Sequence, residues 1–234
     1  MPAPAATLGW MRDGEAFVLG HIAALDDEAL AGPSRLPGWS RAHVVGHLAR
    51  NADALGNLLR WARTGVVSPM YTSVEQRADG IEDAAAQAPD ALRADVVAAS
   101  ERLLATMDTL PPEAWDAPIR TARGRPVTAE EVPWMRVREN WVHAVDLGSG
   151  ARWDELPAGV VDRLVDEVAE GLAGRDDCPA VVLTATDRDP ARSWAVGPAA
   201  AGDAAAVAAP AADLLAWLIG RDNPHGFPAV PPWL

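Results

Sequence analysis

One helical stretch organises the chain: WMRVRENWVHAVDLG, from Trp134 to Gly148. A glycine after the last turn commonly ends a helix, so the pattern predicts a helix that ends at Gly148. Glu139 and His143 are four residues apart and leave such a helix on nearly the same face. A carboxylate and an imidazole one turn apart can bind a divalent metal, as in many metal-containing helical bundles.

The same helix supports a simpler interpretation. Its apolar residues lie on the opposite side: Trp134, Val137, Trp141 and Val145. Periodicity alone therefore buries that stripe and leaves Glu139 and His143 in solvent, where such a pair is usually a surface ion pair. This helix by itself leaves both interpretations open.

Composition narrows the classes of function. The chain has 234 residues, of which 49% are hydrophobic and 23% charged, so it is globular and long enough for one large domain or two small ones. The formal net charge of −13 argues against binding to nucleic acid or to an anionic membrane surface. We expect a cytoplasmic protein, because no secretory signal or run of about 18 apolar residues is found and the lone Cys178 cannot form an internal disulfide.

Helical spacing predicts a four-helix bundle in the first part of the chain. The expected helices cover about residues 8–30, 41–64, 89–110 and 134–148. Ser40 and Gly65 are a typical N-cap and a typical end for the second helix. The linker after it turns helical near Ser73, and a short extended pair turned at Gly124 precedes the last helix.

The pattern changes from Ala151 onward. A helix over about residues 158–173 is followed by the β-rich runs CPAVVLTATD and ARSWAVG, which predict a hairpin. A third short run, DAAAVAAP, leads into a helix over about residues 211–219. We therefore expect a helical domain over residues 1–150 and a smaller α/β domain over residues 151–234.

Two histidines of the second helix compete for a role in a site. At about 100° per residue, His47 lies roughly 60° from the centre of the apolar stripe and His43 roughly 100° from it. His47 is therefore expected at the core boundary and His43 on the solvent side. The alternative for His47 is a partly buried histidine bonded to a backbone carbonyl.

Several blocks of the sequence resemble one enzyme family. PGWSRAHVVGHLARNADAL, from Pro37, resembles the second helix of the DinB-like metalloenzyme superfamily. MRVRENWVHAVDLG, RWARTG and SPMYTS are similar to one branch of it, the mycothiol-dependent maleylpyruvate isomerases of actinobacteria. DLLAWLIGR is similar to the second domain of that branch. The resemblance implies a mainly α fold with an α+β part: a DinB-like four-helix bundle and a smaller, sterol-carrier-like α/β domain.

The resemblance also implies a metal site. The family's ligands fall on His47, Glu139 and His143, and the family's metal is zinc. A His₂Glu set is a usual catalytic zinc set with open coordination positions, although other divalent metals also suit it. The last predicted helix must then bury both faces, with Met135 and Val142 packed beside the ligands.

Three further residues are assigned by the same resemblance. Asp146 is expected to accept a hydrogen bond from His143 and so orient it. Arg221 matches a substrate-side arginine, and Arg77 lies in a similar position in the linker; both can pair with carboxylates of substrate or cofactor. An ordinary surface charge is the alternative for each of the three.

The implied function is a zinc- and mycothiol-dependent cis–trans isomerase that converts maleylpyruvate to fumarylpyruvate by reversible thiolate addition. Cys178 is expected to be structural, so the thiol comes from mycothiol, and Arg221 neutralises a carboxylate or the developing enolate. One alternative is a mycothiol S-transferase or a related enzyme acting on another electrophile. Another is a non-catalytic module that binds a small ligand. The expected partners are a small-molecule substrate and a low-molecular-weight thiol, and the expected state is a monomer or weak homo-oligomer.

Overall fold

A computed structural model describes residues 5–198 and 204–232, and the chain divides into two compact units, Met1–Ala151 and Arg152–Leu234. The first unit is helical. Its helices are α1 (Ala5–Ala23), α2 (Asp27–Ala31), α3 (Arg41–Thr64), α4 (Val74–Ala85), α5 (Pro89–Asp108) and α6 (Val132–Asp146). The antiparallel strands β1 (Pro118–Arg120) and β2 (Pro126–Thr128) confirm the short extended pair before α6.

Helix α3 is the central element of the first unit. Ser40 caps its start, because Ser40 Oγ accepts a hydrogen bond from the backbone N–H of His43 at 3.3 Å. Gly65 ends it with a φ of 71°, a left-handed conformation that glycine adopts without strain. Its inward leucines are fully buried: Leu48, Leu55, Leu58 and Leu59. The predicted bounds of this helix are confirmed.

The predicted first helix is wrong in its extent. It was expected over residues 8–30, but α1 ends at Ala23 and a separate short helix follows. Asp26 starts that helix, since its Oδ1 accepts a hydrogen bond from the backbone N–H of Ala29 at 2.7 Å. Leu30 beyond the break is still buried, so apolar spacing alone did not reveal the break.

The second unit combines helices with a three-stranded sheet. It contains α7 (Ala158–Leu172), β3 (Val181–Ala185), β4 (Arg192–Val196), β5 (Ala205–Ala209) and α8 (Ala211–Leu218). The predicted hairpin is confirmed, because β3 pairs antiparallel with β4, while β5 pairs parallel with β3 on its other side. The predicted fold class, a helical bundle followed by a smaller α/β part, is confirmed. Within the described residues, no helix is long and apolar enough to cross a membrane.

Candidate metal centre

Helices α3 and α6 bring together the three side chains that the resemblance assigned to a metal. His47 Nε2 lies 2.8 Å from Glu139 Oε2, and His143 Nε2 lies 3.3 Å from the same oxygen. One ligand atom from each residue can be chosen so that all lie within 4.8 Å of one another. His47 is thus bonded to a carboxylate, and the alternative of a backbone carbonyl partner is wrong.

The cluster is sheltered but not sealed from solvent. His47 is only 4% exposed, whereas the side chains of Glu139 and His143 are 22% and 14% exposed. Periodicity predicts Glu139 and His143 in solvent, which is wrong, because α6 buries both of its faces. Met135 and Val142 are buried as the resemblance required.

The two histidines of α3 have different surroundings. The ring of His47 meets the ring of His143 edge-on, with 4.8 Å between centroids, and lies 5.7 Å from the ring of Trp39. His43 points away from this cluster. Its Nδ1 accepts a hydrogen bond from the backbone N–H of Ser40, and its Nε2 lies 3.2 Å from a carboxylate oxygen of Glu82. The prediction that His47 faces the core is therefore confirmed.

Asp146 is placed to orient His143. Its Oδ2 lies 3.0 Å from His143 Nδ1, and the residue is only 1% exposed, so the alternative of a surface charge is wrong. A carboxylate on Nδ1 keeps a proton there and leaves Nε2 free to face the cluster. This is the usual support for a histidine that binds a metal through Nε2.

Two residues around helix α4 border the cluster. Arg77 is half-buried, and its Nη2 lies 3.4 Å from His47 Nδ1. Its guanidinium also lies 5.8 Å from the ring centroid of Tyr71. Burial and the nearby carboxylate of Glu139 raise the pKa of Tyr71, so its phenol stays protonated and can donate a hydrogen bond. Tyr71 has no periodic signal in the sequence, and its place in the SPMYTS block is the only pointer to it.

Arg221 belongs to the second unit and follows α8. Its backbone N–H donates to the carbonyl of Ala216 at 2.9 Å, and its Nη1 donates to the carbonyl of Ile219 at 3.3 Å. These contacts describe how the residue ends α8. Its assignment to the substrate stays a prediction.

The three clustered side chains strongly perturb one another. Burial would raise the pKa of Glu139, but hydrogen bonds and charges from His143 and His47 hold it well below its usual range. Burial opposes the charged form of His143, yet hydrogen bonds to Asp146 and Glu139 raise its pKa to about 9. Burial lowers the pKa of His47 more than Glu139 raises it. These directions favour a protonated His143 and a neutral His47 around the Glu139 carboxylate, and a metal bound at His143 Nε2 would displace the proton on that nitrogen.

This donor set fits a divalent metal. Two imidazole nitrogens and one carboxylate oxygen are the His₂Glu set of many zinc enzymes, which keeps positions open for water or substrate. The set also suits other first-row divalent metals, so the geometry fixes the class of ion and not its identity. The guanidinium of Arg77 lies beside His47, and the phenol of Tyr71 is close enough to Glu139 to feel its charge.

Known proteins resemble the chain over both units. Residues 11–148 match the family described as the mycothiol maleylpyruvate isomerase N-terminal domain, and residues 155–227 match the MDMPI C-terminal domain. A crystal structure of a mycothiol-dependent maleylpyruvate isomerase is 31% identical, with 100% of both chains covered and a TM-score of 0.91. A structure of a histidine-to-alanine mutant with the same enzyme name is 30% identical, with the same coverage and a TM-score of 0.90. No curated protein sequence matches.

Proposed function

The chain belongs to the mycothiol maleylpyruvate isomerase family, and on that premise we propose that it converts maleylpyruvate to fumarylpyruvate with mycothiol and a divalent metal. We assign the metal, zinc in this proposal, to His47, Glu139 and His143. The observation that carries the proposal is the convergence of these side chains, with ligand atoms within 4.8 Å of one another.

The proposed chemistry needs a thiolate at neutral pH. A free thiol has a pKa of about 8.5, and a bound metal ion supplies the positive charge that deprotonates it. Reversible addition of the mycothiol thiolate to the cis double bond would turn it into a single bond, with the electron pair held on the carbonyl oxygen. Rotation about that bond and departure of the thiolate would give the trans isomer.

The chain's own residues support an external thiol. Cys178, the one cysteine in the sequence, lies in the second unit and is 3% exposed. Burial raises the pKa of its thiol, which makes it a poor nucleophile. The nucleophile of the proposed reaction therefore comes from the cofactor.

The other side chains have positioning and charge-neutralising roles in this proposal. Asp146 holds His143 in the tautomer that leaves Nε2 for the metal. Arg77 offers a guanidinium beside His47 to a carboxylate of the substrate or the cofactor. Arg221 is assigned, by resemblance to the family, to a substrate carboxylate or the developing enolate.

The proposal is tested with one variant and one matched control on the same helix. Purified wild type should contain about one divalent metal per chain and should form fumarylpyruvate from maleylpyruvate only when mycothiol is added. His47→Ala should lose both the metal and the turnover. His43→Gln should keep both, because glutamine at this position still caps α3.

Three results would contradict the isomerase. Consumption of the free thiol without the trans product would favour the S-transferase. A metal-free wild type without turnover would favour a binding module. Equal turnover in wild type and His47→Ala would remove His47 from the site.

A further inference from the structure

A second polar cluster lies inside the helical unit, away from solvent. It joins the four long helices α1, α3, α5 and α6, and every member is at most 5% exposed: Glu15, Asn51, Ser100, Arg136 and Asn140. We call it the core cluster. The proposed reaction uses none of these side chains, so their presence in the core needs its own explanation.

Arg136 is the centre of the core cluster. A guanidinium has five N–H donors, and each one of Arg136 has an acceptor. Nε and Nη2 bind the two carboxylate oxygens of Glu15 at 3.0 and 2.8 Å, and Nη2 also donates to Ser100 Oγ at 3.1 Å. Nη1 donates to the carbonyl of Leu48 at 2.8 Å and to Asn51 Oδ1 at 3.1 Å.

Glu15 connects the cluster to the remaining helices. Its Oε2 accepts a hydrogen bond from Asn140 Nδ2 at 2.9 Å, and its Oε1 accepts one from the hydroxyl of Ser100. Asn140 Oδ1, in contrast, is buried without a hydrogen-bond partner among the described residues. A buried acceptor without a partner costs free energy, so Asn140 adds less to stability than a fully bonded side chain would.

The core cluster adjoins the candidate metal ligands in both helices. Arg136 lies one turn before Glu139 on α6, and Asn140 lies one turn before His143. At about 100° per residue, these four side chains occupy an arc of roughly 100° on that helix. On α3, the carbonyl that Arg136 binds belongs to Leu48, the residue after His47. Arg136 therefore joins α6 to α3 one residue from His47 and one turn from Glu139, and Asn140 binds Glu15 of α1 one turn before His143.

We propose that the core cluster is a positioning device that fixes the register of α6 against α3, so that His47 meets Glu139 and His143 at metal-binding distance. This inference rests on the proposed function, because it assumes that these side chains bind a metal. Burying an ion pair is weak evidence for stability, since well-packed apolar residues often stabilise a core equally well. Fixed geometry is what a bidentate guanidinium adds and an apolar core does not.

An apolar replacement of the cluster separates positioning from stability. The triple variant combines Glu15→Leu, Arg136→Met and Asn140→Leu. Its core can stay packed while the hydrogen bonds and the ion pair of the core cluster are lost. We expect a folded protein that binds the metal more weakly. Its metal dissociation constant, measured by competition with a chromophoric chelator, should be higher by about 10-fold or more. We also expect a changed absorption spectrum of Co²⁺ bound to the site, which reports ligand geometry independently of turnover.

Two further variants keep the test decisive. Leu92→Ala removes a fully buried side chain of α5 that is not a member of the core cluster and destabilises the same unit, so it should bind metal as wild type does. If the apolar variant does not fold, Arg136→Lys is measured instead, because lysine keeps the charge but offers three donors instead of five. It should show the same loss of affinity and the same type of spectral change.

The outcomes distinguish this inference from the function on which it rests. Folded core-cluster variants with wild-type affinity and spectrum would overturn the inference and leave the metal proposal intact. Equal losses in Leu92→Ala and the cluster variants would show a stability effect and would also overturn it. A wild type that binds neither zinc nor Co²⁺ would overturn the proposed function, and the inference with it.

Discussion

At the scale of a single residue, the buried carboxylate of Asp146 orients one of the proposed metal ligands, His143. Its Oδ2 holds His143 Nδ1 at 3.0 Å. Asp146→Ala should leave His143 free to rotate and weaken metal binding by about 10- to 100-fold. Chelator competition measures this loss. Asp146→Asn keeps an acceptor oxygen and should lose less; equal affinity in wild type and Asp146→Ala would contradict the role.

Arg77 and Arg221 are expected to affect different kinetic constants. If Arg77 binds a carboxylate of the substrate or the cofactor as proposed, Arg77→Ala should raise KM for maleylpyruvate or mycothiol by about 10-fold or more, with metal content unchanged. If Arg221 stabilises the developing enolate as proposed, Arg221→Ala should mainly lower kcat. Steady-state kinetics on metal-loaded protein measures both. Arg63→Ala, which removes an exposed arginine bonded to Thr109, is the control and should change neither constant.

The lowered pKa of Glu15 predicts a specific dependence of the unfolding free energy on pH. Burial would raise its pKa, but the charge and hydrogen bonds of Arg136 hold it below the ordinary value of 4.5. A lowered folded pKa stabilises the protein fully above the unfolded pKa, and this contribution is lost as pH falls through the folded pKa. The difference in unfolding free energy between wild type and Glu15→Gln should therefore be largest near neutral pH and shrink below pH 4.5.

Urea titrations at several pH values measure that difference. Leu92→Ala is the reference, since an apolar substitution should cost a nearly constant free energy over the same range. A Glu15→Gln difference that is equally constant would contradict the lowered pKa.

Individual residues were predictable where the sequence carries a local signal. His47 was separated from His43 by its angle to the apolar stripe, and the structure confirms the choice. Arg77 and Asp146 could be selected only through the resemblance to a family, because a single charged residue has no period. Tyr71 was missed because a single aromatic residue in a loop has no period either.

At the scale of an element, the burial of the polar face of α6 could not be predicted from the sequence of that helix. Its polar side was expected in solvent, since charged side chains are rarely fully buried. Arg136 is fully buried on that side because Glu15, 121 residues earlier in the chain, supplies a bidentate partner. The partner is visible only after α1 packs on α6. The bounds of α6 were predicted to within two residues at each end, because they depend on local signals such as Pro133 and Gly148.

Packing of α4 on α3 leads to a prediction about two glycines of the same helix. A Cβ at Gly46 would lie 2.9 Å from Ala84 Cβ and 3.2 Å from the carbonyl oxygen of Ile81, both on α4, whereas a Cβ at Gly56 would meet nothing within 4 Å. Gly56→Ala should stabilise the protein by about 0.5–1 kcal/mol through helix propensity. Gly46→Ala should destabilise it by about 1–3 kcal/mol through overpacking.

Gly46→Ala should also affect the site, because α4 carries Arg77. Displacement of α4 would move that guanidinium away from His47 and raise KM without loss of metal. Thermal unfolding and kinetics on the two alanine variants measure both effects. Equal stabilisation by both substitutions would contradict the close approach of the helices.

At the scale of the whole molecule, the sheet of the second unit contains one strand pairing that local sequence predicts and one that it does not. The β3–β4 hairpin could be predicted, because turn residues between the two runs fix an antiparallel return. The pairing of β5 could not, although its run was recognised. β5 joins β3 in parallel, with Val207 opposite Leu183, and no local turn sets that register.

Metal removal tests whether the whole fold depends on the proposed ion. In small zinc domains the metal drives folding, but here fully buried leucines of α3 form an apolar core that needs no ion. The chelated protein should therefore keep its helical circular dichroism. Metal at about 100 times its dissociation constant should add about 2.7 kcal/mol, which raises Tm by roughly 5–10 °C. His47→Ala should show no such shift, and loss of helix on chelation would show that the ion, and not the packing of the helices, assembles the site.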